Sequence, residues 1–137
     1  MKLENLSRII VEFYEKLSSW EESVVKDSGL TTSQIHTIGI VGHADSIKMK
    51  DLAGKIGVTT GTLTVAVDRL EKKGLLMRRP HKKDRRSYMI ELTPDGKKYF
   101  AEHHNFHIRM TEEIVSCLSE QEQKAFATIM EKMLRTF

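Results

Sequence analysis

Cysteine is nearly absent from this chain. The 137 residues contain one, Cys117, which excludes an internal disulfide framework and any metal knuckle built from several thiolates. Proline is almost as scarce, with two, and aromatic residues make up 7%; both argue against an all-β fold, which needs many turns and aromatic-rich strands. No apolar run approaches the roughly 20 residues of a membrane-spanning helix. The first residues are polar and charged and do not read as a secretory signal, so a cytoplasmic location is the expectation. What is present is 39% hydrophobic and 30% charged residues, the balance of one helix-rich domain over 1–137 with a real core.

Apolar periodicity organises most of the chain. Leu3, Leu6, Ile10, Phe13, Leu17, Trp20 and Val24 recur at three- and four-residue steps and draw one helical stripe. Gly29 ends that helix, and Thr31-Thr32-Ser33 caps a second one carrying Ile35, Ile38, Ile40 and Val41. A break at Gly42–Ser46 precedes a third helix with Leu52, Ala53 and Ile56 inward and Gly57 as its stop. Thr59 or Thr60 caps the fourth, whose stripe is Leu63, Val67 and Leu70, and Gly74 terminates it. The period then changes to two: residues 75–79 and 87–92 read as paired strands around the loop Pro80–Arg86. Thr93-Pro94-Asp95 restarts a helix. The two final helices carry Phe100, His103, His107, Met110, Ile114 and Leu118, then Phe126, Ile129, Met130, Met133 and Phe137.

Charge is distributed unevenly. Between Arg69 and Arg86 stand nine Lys/Arg against Glu71 and Asp84, a stretch of +7 within a chain of net +3. The remainder is therefore mildly acidic, and the basic stretch is the electrostatic footprint of a nucleic-acid reader. Two short helices joined by a turn present the start of the second to base edges in a major groove, where short polar side chains are wanted. Thr59, Thr60, Thr62 and Thr64 supply hydroxyls and methyls there, with one of them left to cap. Arg69 and Lys72 further along suit phosphate contact or bracing of the hairpin. Lys82, Lys83, Arg85 and Arg86 make the loop too basic for an ordinary turn, and arginine gains from the potential of a narrow minor groove.

The segment VTTGTLTVAVDRLEKKGLL, followed by DRR and ELTPDGK, resembles the MarR family of winged helix-turn-helix repressors over essentially the whole chain. The resemblance implies a mainly α fold with a small antiparallel β-hairpin wing. The DNA-reading head would be 31–93, and helices 1–28 and 94–137 would form a dimer hub, in keeping with the narrow terminal stripes. It implies Asp84 as a brace for the wing, pairing with Arg69, and Arg86 as the minor-groove finger. It also implies a homodimer on a roughly palindromic double-stranded operator, with DNA binding modulated by an effector. QIHTIGIVG, GTLT and the HxxFH pattern at His103–His107 look like the subgroup that represses fatty-acid synthesis, whose co-effector is an acyl chain on acyl carrier protein. Ile35, His36, Ile38, Phe106 and Met110 would then line the ligand cleft.

The histidines allow a second effector. His103 and His107 emerge on one helix face; with His36 and Glu21 or Glu22 they could make a nitrogen–oxygen zinc site, similar to the zinc-sensing branch of the same family. The alternative is a hydrogen-bonded cluster without metal. Cys117 reads as a small buried hydrophobe on the hub stripe. No nucleophile–base arrangement or phosphate-cradling loop suggests an enzyme, and no cofactor is called for. A winged-helix adaptor that binds protein rather than DNA is the remaining class, against which Arg86 and the +7 stretch speak.

Overall fold

The structure, a computed structural model, describes residues 1–84 and 86–136; Arg85 and Phe137, both named above, lie outside them. In chain order the elements are α1 (Leu3–Ser28), α2 (Thr32–Ala44), β1 (Ser46–Lys48), α3 (Met49–Ile56), α4 (Thr60–Lys72), β2 (Leu76–Pro80), β3 (Tyr88–Leu92), α5 (Pro94–Val115) and α6 (Glu120–Leu134). The described residues form two compact units, 1–103 and 104–137, whose boundary falls inside α5.

Unit 1 is a helical layer on a small sheet. Its strands run antiparallel in the order β1-β3-β2, with Ile47 opposite Ile90 and Arg78 opposite Ile90 from the other side. The inward residues of α2, α3 and α4 meet the inward residues of β2 and β3 in one core. Ile38, Val41, Leu52, Leu63, Val67, Leu70, Leu76 and Ile90 are each at most 1% exposed, so the sequence stripes of these helices do face inward. α2 begins with a reciprocal cap: Gln34 N–H donates to Thr31 Oγ1, and Thr31 N–H donates to Gln34 Oε1, both at 3.1 Å.

Two element boundaries differ from the sequence expectation. β1 falls in the stretch read as a break, because three residues are too few to display an alternation. α2 also runs on through Gly42 to Ala44, since that glycine is there for space rather than for a stop. A Cβ at Gly42 would overlap the ring of Phe100.

The start of α5 is fixed by Thr93. Its N–H donates to the Leu75 carbonyl at 3.0 Å, its hydroxyl donates to the Gly74 carbonyl at 2.6 Å, and the hydroxyl accepts from Gly96 N–H at 3.0 Å. That seat draws α5 so close to the chain that a Cβ on Gly96 would overlap the Leu75 carbonyl oxygen. α1, in contrast, leaves most of its stripe uncovered: Leu3, Leu6, Ile10 and Phe13 are exposed, and Val25 is the helix residue that reaches the core.

Unit 2 comprises the end of α5, a turn and α6. Ser119 and Glu122 make a second reciprocal cap, and Gln123 Nε2 donates to the carbonyls of Val115 and Leu118 at 3.3 and 3.2 Å. Phe126, Ile129, Met133 and Leu134 are exposed. Cys117 sits in the turn and is exposed, not buried as the sequence suggested, because the turn lifts it off the helix stripe.

Gly96→Ala separates packing from propensity. Alanine favours a helix by about 1 kcal/mol over glycine, yet the overlap with a backbone oxygen is expected to reverse the sign, a net loss of about 1–3 kcal/mol in urea denaturation.

Candidate nucleic-acid interface

α4 opens on its own threonines. Thr59 is the cap: its hydroxyl accepts from Thr62 N–H at 3.2 Å and donates to Thr62 Oγ1 at 3.0 Å. The Thr64 hydroxyl donates back to the Thr60 carbonyl at 2.8 Å. All four threonines are exposed, so their methyls and remaining hydroxyl valences face outward from a helix start whose position is settled. Val65, absent from the sequence-derived set, is 51% exposed on the same helix. It stands off the Leu63–Val67–Leu70 stripe, which was the signal that could have found it, and it offers an apolar contact of the kind thymine methyls accept.

The hairpin of β2 and β3 is tied to α4 by a clamp that charge counting missed. Arg78 on β2 donates to Asp68 at 2.5 Å and to Glu71 at 2.6 Å, both on α4. Its side chain is 21% exposed. Burial alone would lower the guanidinium pKa; the hydrogen bond and charge of Asp68, joined by Glu71, outweigh it and raise the pKa. Two carboxylates on one half-buried arginine make a network rather than a lone surface pair. Beyond it, Arg79 Nε reaches Glu91 on β3 at 2.8 Å.

The loop between the strands is closed by its own polar groups. His81 N–H donates to the Ser87 carbonyl at 3.0 Å, and the amides of Lys83 and Asp84 both donate to His81 Nδ1, at 3.2 and 3.0 Å. The Asp84 carboxylate accepts from Arg86 N–H and from the Ser87 hydroxyl, each at 3.0 Å. The Arg86 amide, then the Ser87 hydroxyl, hold the Asp84 pKa below the usual carboxylate range, with His81 and Lys48 adding to the effect. Asp84 therefore braces the loop within itself. An ion pair with Arg69 is not among its described contacts; Arg69 and Lys72 lie exposed on α4.

Between the hairpin and the helices lies an open groove of about 760 Å3. Thr60 and Thr64 line it from α4, Arg86 and Tyr88 from the hairpin, and Lys48 and Lys50 from the start of α3. The threonine face and the basic loop thus border one concavity. Lys82 and Lys83 project from the loop into solvent.

The residues expected to hold an effector divide between the two units. Ile35 and Ile38 are core residues, 4% and 1% exposed, whereas His36 is exposed on α2. Phe106 and Met110 belong to unit 2, where Arg109 stacks over the Phe106 ring at 4.8 Å. In unit 1 His103 Nε2 meets Glu21 Oε1 at 2.7 Å. Glu22 is exposed, and His107 is an exposed residue of unit 2.

Comparison with known proteins agrees with this architecture. Residues 30–88 match the MarR family profile. The HTH-type transcriptional regulator BilQ of Clostridium symbiosum is 25% identical over 124 residues, 90% of this chain and 86% of BilQ. The HTH-type transcriptional repressor MdtR of Bacillus subtilis is 27% identical over 120 residues, 88% of this chain and 77% of MdtR. Streptococcus pneumoniae FabT, crystallised in complex with DNA, superposes with a TM-score of 0.89 at 23% identity, covering 98% of this chain and 96% of FabT. No described helix is long and apolar enough to cross a membrane.

The clamp makes a specific claim about position. Arg78→Met keeps the apolar stem and removes the pairing. It should raise amide exchange across residues 80–88 and weaken DNA binding at least fivefold, about 1 kcal/mol, with the helix content unchanged by circular dichroism.

Proposed function

We propose that this chain is a MarR-type winged helix-turn-helix, DNA-binding transcriptional regulator, a homodimeric repressor whose hold on its operator is set by a bound effector. The observation that carries the reading is the groove shared by α4 and the hairpin. Thr60 and Thr64 border it from one side and Arg86 from the other, so one duplex can meet both. The threonine face of α4 reads a major groove, with Val65 and the hydroxyls of Thr60, Thr62 and Thr64 as its base-directed groups. Arg86 enters the adjoining minor groove, while Lys82, Lys83, Arg69 and Lys72 take phosphates, and Arg85 is assigned to the same set by sequence.

Two copies complete the reader. The exposed apolar residues of α1, and separately those of α6, are the surface a second copy covers. Their burial places two α4 helices in successive major grooves, roughly 34 Å apart along a near-palindromic operator. Repression is supported by the similarity to MdtR, a transcriptional repressor, and a duplex partner by the similarity to FabT, crystallised in complex with DNA.

For the effector, the leading class is a long acyl chain on acyl carrier protein, with Phe106 and Met110 as the apolar groups of the expected set that keep accessible surface. The zinc reading is favoured by one contact, the 2.7 Å His103–Glu21 pair, which brings together two groups of the donor type zinc takes; His36 and His107 are its further candidates.

The test begins by letting the protein select duplexes from a random pool. Enrichment of a near-palindrome, with a dimer in analytical ultracentrifugation, is the expected result; a pool that enriches nothing returns the chain to the adaptor class. On the selected duplex Arg86→Ala should lose about 1–3 kcal/mol of affinity without dissociating the dimer. Long-chain acyl carrier protein is expected to move the affinity at least tenfold, about 1.4 kcal/mol. A shift produced instead by Zn2+, and abolished in His103→Gln, assigns the effector to the metal reading.

A further inference from the structure

We infer that the groove between α3, α4 and the hairpin is the seat of the sugar-phosphate strand that separates the two DNA grooves, and that Lys48 and Lys50 are its phosphate-neutralising residues. The inference rests on the DNA-binding reading above. A duplex that takes α4 in its major groove and Arg86 in the neighbouring minor groove has one backbone strand between them. That strand must run through the space between those two elements, which is this groove.

Three features of its third wall suit a phosphate. Lys48 and Lys50 flank the start of α3 and line the groove. Among the described residues neither forms an ion pair within 4 Å; Lys48 faces Asp84 only at longer range. α3 also begins without a side-chain cap, so its first-turn amides keep their donors for an incoming anion. Two of the other charges on the groove are already engaged. Arg78 is held by Asp68 and Glu71, and the Asp84 carboxylate accepts from Arg86 N–H and the Ser87 hydroxyl. Asp51 lies in the first turn of α3, where the helix dipole favours a carboxylate. Tyr88, 48% exposed, adds an uncharged hydroxyl on the opposite wall.

Lysine on phosphate has a signature that lysine on a base or in a fold does not. Each neutralised phosphate contributes about 0.9 to the slope of log K against log salt, and a dimer carries two such grooves. Affinities would be measured across a salt series for the wild type, Lys48→Gln, Lys50→Gln and the double variant, on the selected duplex and on a random one. Each single substitution should flatten the slope by about 1.8 and the double by about 3.6, on both duplexes, with the selected-over-random ratio kept within about threefold. Tyr88→Phe should lower affinity on both duplexes without changing the slope, and Lys124→Gln on α6 should change neither. A double variant with the wild-type slope overturns the seat, and so does a loss confined to the selected duplex, which would make the lysines base readers. Because the random duplex reports the slope by itself, a pool that enriches no sequence would overturn the repressor reading while still deciding this one.

Discussion

The groove between α4 and the hairpin depends on holding the two at one fixed spacing, and the Arg78 clamp is the interaction that does so. The apolar core ends at Leu70, Leu76 and Ile90. Beyond it no described residue of the outer hairpin has a buried side chain to locate it: Arg79 and Pro80 are exposed. Arg78 stands at that limit and joins β2 to Asp68 and Glu71, one helical turn apart on α4. Removing it leaves two carboxylates facing each other with no cation between them, so the contact that aligns the hairpin also relieves a repulsion within α4.

Much of this architecture is legible in the sequence, for a physical reason. Helices with a buried stripe announce their period, and the caps at Thr31 and Thr59 use residues whose side chains can reach a free amide. The change from Leu70 to Leu76 marks the step from helix to strand. What stays hidden depends on partners distant in the chain. β1 has no pattern of its own and exists because β3 offers an edge. Gly42 resembles a break until Phe100 is beside it. Arg78 and Glu71 counted only as charges of opposite sign, and the Asp84 brace, expected to reach Arg69, closes instead on Arg86 and Ser87, its neighbours along the loop. Lys48 and Lys50 lie outside the basic stretch from Arg69 to Arg86, and the fold brings them beside it. Of the expected effector set, Ile35 and Ile38 are core residues, and a stripe position does not by itself tell a core residue from one that lines a cleft.

The α1 stripe shows the same limit from the other direction. Its heptad-like spacing predicts burial, and in one chain the burial is not there. A periodic apolar face reports that a surface must be covered, not which chain covers it.

The described residues on either side of Arg85 in the hairpin loop are tied to one another within the chain itself. The loop's two ends are joined through His81 and Ser87, its middle amides share a single imidazole nitrogen, and the Arg86 amide is held by Asp84. The conformational entropy of that segment is therefore surrendered when the chain folds. On the proposed reading, little ordering of that backbone remains to oppose association, and the attraction of the Arg86 guanidinium for a minor groove passes almost undiminished into the binding free energy.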